Sequence, residues 1–257
     1  MPKSYIPCII SLMSVLSSLI AIKYALYGYY TIVIQLIILA AVFDAMDGWF
    51  ARRLNSVSIF GAEMDSLCDA FSFGFAPSIC LYFWFFSELR TVGWILCFFV
   101  SIAMIIRLAR FNTFQIEKIT SYNGIDIKKY FIGLPAPAFG ILTMLPVAII
   151  NLMDESLCQD LDEISEFKYG IISLYQMFWF KVSIVLYYCT ISYLAISKIP
   201  FIAIKNSAIM KKKIIISVLG ILLTLLYFIN SYILCIVISF AMVTIFIQSL
   251  YNLYTKK

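Results

Sequence analysis

The sequence predicts an all-α, polytopic transmembrane helix bundle of about eight spans, and three observations predict it. Of the 257 residues, 63% are hydrophobic and only 13% charged, where a soluble domain is nearer half apolar and a quarter charged. Apolar runs of roughly 18 or more residues recur along the chain, each long enough to cross a ~30 Å hydrocarbon core. These runs are unbroken, whereas a membrane β-barrel would alternate. Backbone polar groups in lipid must be satisfied internally, so such runs read as helices.

The expected spans are 5–27, 29–51, 61–86, 92–112, 131–152, 179–198, 213–229 and 232–253. The opening run, MPKSYIPCIISLMSVLSSLIAI, has the look of a signal peptide. It is read as the first span because no convincing small-residue cleavage site follows it. The fifth span opens on KYFIGLPAPAFGI (129–141), where two prolines stand at a helix start and the preceding Gly-Leu predicts a bend. Segment 171–180 reads as an interfacial helix or as part of the sixth span. The whole of 1–257 is expected to be one integral membrane domain, with a catalytic core over 29–200 and extra C-terminal spans over 201–257.

Charge sets the orientation. Sorted onto alternate sides of these spans, all but Lys23, Arg90, Lys168 and Lys181 of the 19 basic residues fall on one side. The basic side is cytoplasmic by the positive-inside rule, and an even number of spans puts both termini there. The expected location is a bacterial inner (plasma) membrane. Trp94 and Trp179 then lie near outer span ends and Trp49 near an inner one, as interfacial tryptophans do. The acid-rich loop 153–170 reads as a solvated outer loop. The basic cluster 205–213 reads as a topology signal that also attracts anionic lipid. The seven cysteines include no CxxC pair and lie mostly in apolar runs, so they read as small buried hydrophobes. No histidine is present, which leaves carboxylates as the main candidates for a general base. Nothing in the composition points to nucleic acid.

One stretch breaks the pattern: DAMDGWFARRLNSVSIFGAEMDSLCD (44–69). Spans two and three are antiparallel neighbours joined by a short connection. At 1.5 Å per residue from their shared cytoplasmic end, Asp47 lies roughly 8 Å and Asp44 roughly 12 Å deep, with Asp65 roughly 6 Å and Asp69 roughly 12 Å deep opposite. Asp44 and Asp47 are i, i+3, and Asp65 and Asp69 are i, i+4, so each pair shares a helix face. Four carboxylates so placed repel one another and are costly to leave charged out of water. Arg52 and Arg53 are too few to offset them. One or two hard divalent cations with oxygen ligands, Mg²⁺ or Mn²⁺, fit the set. Gly48 and Ala51 leave room for a ligand beside the helix, Arg52 offers a planar fork to phosphate, and Gly61 opens a helix start whose free N–H groups favour anions.

This stretch matches the signature D-x2-D-G-x2-A-R-x8-G-x3-D-x3-D at Asp44, Asp47, Gly48, Ala51, Arg52, Gly61, Asp65 and Asp69, and so resembles the CDP-alcohol phosphatidyltransferase family. FGAEMDSLCDAFSFGFAPS (60–78), RLARFN (107–112) and FIGLPAPA (131–138) resemble the serine-using, integral-membrane branch. The resemblance covers roughly residues 5–150. It implies a six-helix core, to which the last two spans would be an addition, and a homodimer with the site at its cytosolic end. It also implies transfer of a phosphatidyl group from CDP-diacylglycerol to the L-serine hydroxyl, with release of CMP. Asp44, Asp47, Asp65 and Asp69 would hold Mg²⁺ or Mn²⁺, Asp69 would also be the general base, and Gly48, Ala51, Arg52 and Gly61 would shape the CDP pocket. Arg107 and Arg110, i, i+3 at the cytosolic end of span four, are candidates for binding the acceptor; Asn112 and Glu63 are weaker ones. Glycerol 3-phosphate or an inositol phosphate is the alternative acceptor. A cation- or proton-coupled transporter is the alternative of a different class, though no repeated halves are visible and the acids cluster at one end.

Overall fold

The computed structural model describes residues 5–56, 58–116, 121–122, 125–126, 130–157, 178–197, 200–202 and Phe240. Five helical stretches among these are long and apolar enough to cross a membrane: Tyr5–Leu26, Tyr30–Arg53, Ile59–Trp84, Phe86–Phe114 and Trp179–Ile196. A shorter apolar stretch, Ala136–Asn151, joins them. The polytopic helical architecture is therefore present. The expected span 213–229, the basic cluster 205–213, all of 232–253 but Phe240 and nearly all of 171–180 lie outside the described residues.

Helix α1 (Tyr5–Leu26) runs antiparallel to α2 (Tyr30–Arg53) through a tight turn at Gly28, whose φ of 79° is the left-handed region that glycine enters freely. The α1 face turned inward is a seam of Ser11, Ser14, Ser18, Ala21 and Ala25, spaced alternately by three and four residues. Small side chains let two helices approach closely where lipid supplies no hydrophobic drive. The opposite face carries Ile9, Leu12, Leu16 and Leu19, all exposed, as a lipid-facing surface would.

The connection from α2 ends at Asn55, in a left-handed conformation with φ 50°. Helix α3 (Ile59–Asp69) then starts at Ser58, whose side chain accepts a 3.0 Å hydrogen bond from the Gly61 N–H. It continues through a wide turn, Ala70–Phe75, into α4 (Ala76–Trp84). Within that turn the Ala76 N–H bonds the Phe71 carbonyl five residues back. Pro77 explains the widening, because its ring has no N–H to give and would crowd the carbonyl of Phe73 in a regular helix. A Cβ on Gly74 would come within 2.9 Å of Met104, and one on Gly140 within 2.7 Å of Phe73. The wide turn is thus clasped on both sides by close backbone approaches.

A short 3₁₀ segment, Phe86–Leu89, turns the chain into α5 (Arg90–Ile116). Two small antiparallel strand pairs follow, outside the expected all-helical reading. β1 (Ser121–Tyr122) pairs with β2 (Ile125–Asp126), and β3 (Tyr130–Ile132) pairs with β4 (Pro200–Ile202) after the last described helix. The bend expected near Gly133 is present, with φ 82°.

The fifth expected span, 131–152, is corrected. It is broken into α6 (Ala136–Thr143) and α7 (Leu145–Leu157), which absorbs the first part of the expected outer loop 153–170. Pro146 has no N–H for the Leu142 carbonyl, and the chain bends at Met144. Two hydroxyls from α8 (Phe178–Ile196) take up the freed acceptors: Tyr187 donates to the Leu142 carbonyl at 2.8 Å and Tyr188 to the Thr143 carbonyl at 3.0 Å. The core they close includes Phe73, Phe85, Phe86, Met104 and Phe139, all fully buried.

Candidate functional site: a carboxylate cluster between α2 and α3

Helix α2 brings Asp44 and Asp47 to the cluster, and α3 brings Asp65 and Asp69. One carboxylate oxygen from each of Asp44, Asp47 and Asp65 lies within 4.8 Å of the others. The Asp47 and Asp65 carboxyls are in hydrogen-bonding contact, and so are Asp44 and Asp69. Two carboxyls in such contact share either a proton or a cation. The donor set is all hard oxygen, three groups converging on one point, which is the chemistry that Mg²⁺ and Mn²⁺ take. The residues present therefore fit a divalent cation.

Beside the cluster lies a cavity of about 270 Å³. Gly48, Ala51, Arg52 and Gly61 line it together with Asp47 and Asp65. The six residues come from both helices, and the cavity runs down to the α2–α3 connection at Ser56 and Ser58. Arg52 is exposed and folds back along its own helix, so that a Cβ on Gly48 would sit 3.4 Å from its nearest guanidinium nitrogen. A fork-shaped cation thus stands at the rim beside the Asp47 end of the cluster.

The two arginines of α5 part company. Arg107 is buried, 6% exposed, with Asp69 and Asp44 as its charged acidic neighbours and the Phe111 ring 5.6 Å from its guanidinium carbon. It is a cation next to the Asp44–Asp69 side of the cluster. Arg110 points elsewhere. Its guanidinium donates to the carbonyls of Ile196, Ser197 and Ala195 at 2.6, 3.1 and 3.3 Å, closing the C-terminus of α8. Asn112 and Glu63 also lie apart from the cavity. Asn112 accepts from the Ser66 hydroxyl at 2.9 Å and donates to Glu63 at 3.3 Å, tying α5 to the outer face of α3.

Sequence reasoning missed the share of α1. Pro7, Cys8 and Ser11 form one wall of the cavity, and Ser11 donates a 2.5 Å hydrogen bond to Asp47 Oδ2. The periodic serines of SLMSVLSS (11–18) were the available signal, since a polar seam in a first span faces protein and not lipid.

Comparison with known proteins agrees with this geometry. The family model for CDP-alcohol phosphatidyltransferase matches residues 4–167. Proteins named CDP-diacylglycerol–serine O-phosphatidyltransferase are similar to the chain over more than half of its length. One from Mycobacterium bovis is 34% identical over 147 residues, which is 57% of this chain and 50% of that protein. One from Helicobacter pylori (strain 26695) is 33% identical over 150 residues, 58% of this chain and 60% of that protein. One from Bacillus subtilis (strain 168) is 33% identical over 142 residues, 55% of this chain and 75% of that protein. The match spans about half the length of the first of these relatives. With the family model covering well over half of the residues, the chain belongs to the CDP-alcohol phosphatidyltransferase family.

Proposed function

We propose that this protein transfers the phosphatidyl group of CDP-diacylglycerol to the hydroxyl of L-serine, forming phosphatidylserine and CMP. The observation that carries the reading is the convergence of three carboxylates from two helices beside a cavity bordered by Gly48, Arg52 and Gly61. The similarity to proteins named for the serine reaction supports the acceptor.

In this reading Asp44, Asp47 and Asp65 hold Mg²⁺ or Mn²⁺, and Asp69 contributes to a second position. A cation so held neutralises pyrophosphate charge and polarises the phosphorus that is attacked. Gly48, Ala51 and Gly61 leave the space that the nucleotide fills, and the Arg52 fork binds a phosphate oxygen. Asp69 takes the proton from the serine hydroxyl as its oxygen bonds to the phosphorus bearing the diacylglycerol. The P–O bond to CMP breaks, and CMP leaves with that electron pair. Arg107, beside Asp69, receives the serine carboxylate. Arg110 binds the carbonyls at the end of α8, so Arg107 is the first candidate of the two for the acceptor. The acyl chains stay in the bilayer and reach the site sideways, which accounts for a reaction centre inside a span. The site and both termini face the cytoplasm of a bacterial inner membrane, the chain has eight spans with 213–229 and 232–253 as the last two, and it works as a homodimer.

The test is purified protein mixed with labelled L-serine and CDP-diacylglycerol, with Mg²⁺ or Mn²⁺ added or withheld. Glycerol 3-phosphate and an inositol phosphate are offered in parallel. Phosphatidylserine formed only with the cation supports the reading. Faster transfer to a phosphorylated acceptor would replace serine, and no CMP release with any acceptor would end the enzymatic reading.

A further inference from the structure

Ser11 is the one hydroxyl of the α1 seam whose acceptor is a carboxylate of the cluster. Ser17 and Ser18 donate to backbone carbonyls, of Leu36 and Ser14 respectively. Ser14 donates to the Ser11 carbonyl at 2.7 Å and also stands 3.3 Å from the Ser72 hydroxyl in the wide turn. Those three are helix-packing serines of the usual kind. Ser11 Oγ lies 2.5 Å from Asp47 Oδ2 and 3.1 Å from the Pro7 carbonyl. A hydroxyl has one proton to donate, and an ionised carboxylate is the stronger acceptor, so the short bond to Asp47 takes it. Both residues are largely buried, Ser11 at 4% and Asp47 at 5% exposure.

The geometry points to Ser11 as a positioning residue for the cation centre: from a helix outside the signature, it fixes one oxygen of Asp47, in the carboxylate that meets Asp44 and Asp65. The inference rests on the proposed cation-binding role of those aspartates. Its physical basis is the outer-sphere hydrogen bond. A ligand carboxylate held by a second group loses less side-chain freedom when a metal arrives, and removing such a partner typically weakens metal affinity about 10–100-fold. Because α1 packs against α2 on one side and touches the wide turn through Ser14 and Ser72 on the other, the same helix sets the spacing of both carboxylate-bearing elements.

The experiment measures Mn²⁺ binding to the purified full chain in detergent, without substrate, by the loss of the free-ion paramagnetic resonance signal. Ser11→Ala is expected to weaken Mn²⁺ binding about tenfold. Ser11→Thr keeps the hydroxyl and has the cavity for its extra methyl, so it is expected to bind as the parent does. Ser18→Ala removes an equally buried hydroxyl that bonds only its own helix, and is expected to bind as the parent does. In turnover, Ser11→Ala should raise the Mn²⁺ concentration for half-maximal rate and leave the serine KM unchanged. Parent-like Mn²⁺ binding by Ser11→Ala would overturn the inference, as would an equal loss in Ser18→Ala. If Asp65→Asn also binds as the parent does, the cation centre itself falls and Ser11 with it. If Asp65→Asn loses the ion and Ser11→Ala does not, only the role of Ser11 falls.

Discussion

The Arg52 guanidinium lies against the bare face of Gly48, with its nearest nitrogen 3.4 Å from the point a Cβ would occupy. That spacing is ordinary contact, so the helix itself has room for a side chain there. The glycine is therefore explained by what must approach from the cavity, on which both residues border. Gly48→Ala should leave the melting temperature in detergent unchanged or slightly raised, since alanine favours a helix by up to about 1 kcal/mol. Its rate of CMP release should drop at least tenfold. A variant with parental turnover would show that the empty face serves only packing.

Asp44 and Asp65 meet from opposite helices, and neither is replaceable by an amide in a cation centre. Asp44→Asn and Asp65→Asn should each reduce transfer by about 10²-fold or more, because each removes a charged oxygen ligand from the group that stabilises the leaving phosphate. Chelation of divalent ions should abolish the parental rate, and Mn²⁺ or Mg²⁺ should restore it. Serine incorporation by Asp65→Asn in the presence of chelator at the parental rate would contradict the model.

Asp69 touches Asp44 but stands outside the trio that converges within 4.8 Å. Asp69→Asn should therefore keep most of its Mn²⁺ binding and lose transfer by about 10²–10⁴-fold, the range that general-base removal produces. Equal loss of both would make Asp69 simply another ligand.

Arg107 and Arg110 should separate in their effects. Arg110→Ala leaves three carbonyls at the end of α8 without their donor and should destabilise the protein by about 1.5–3 kcal/mol, as loss of charged hydrogen bonds does. Its effect should appear as a lower melting temperature with a near-parental serine KM. Arg107→Lys should show the reverse, a raised serine KM with modest loss of stability. Calorimetry in detergent and steady-state kinetics decide between them.

Tyr188→Phe removes the hydroxyl that serves the Thr143 carbonyl inside the core. An unsatisfied buried carbonyl costs about 1–3 kcal/mol. The melting temperature should fall, with CMP release per folded molecule retained.

The convergence of the aspartates was legible because it needed only helix geometry: two pairs at i, i+3 and i, i+4, on neighbours joined by a short connection. The partition of Arg107 from Arg110 was not. Residues three apart on a helix point about 60° away from each other, enough for one to meet the cluster and the other the end of α8, and the position of α8 is not written in α5. Pro146 was visible in the sequence, yet it sits in an apolar run that reads as one span. Its consequence depended on Tyr187 and Tyr188, some forty residues later, supplying the missing donors. Ser11 was hidden for a related reason. A serine in a span usually bonds its own backbone, and only the packing of α1 on α2 shows which one meets a carboxylate.

The five-residue hydrogen bond in Ala70–Phe75 has a mechanical meaning. An extra residue in one turn acts as a phase shift of about 100° between the two halves of a rod. The N-terminal half aims Asp65 and Asp69 at their partners on α2, while the distal half independently chooses which flank it offers to α5 and α6. Deleting a single residue there would take back about 100° of that phase and leave the chain unable to satisfy both ends at once: either the acids would swing out of the cluster or the glycine clasp would open.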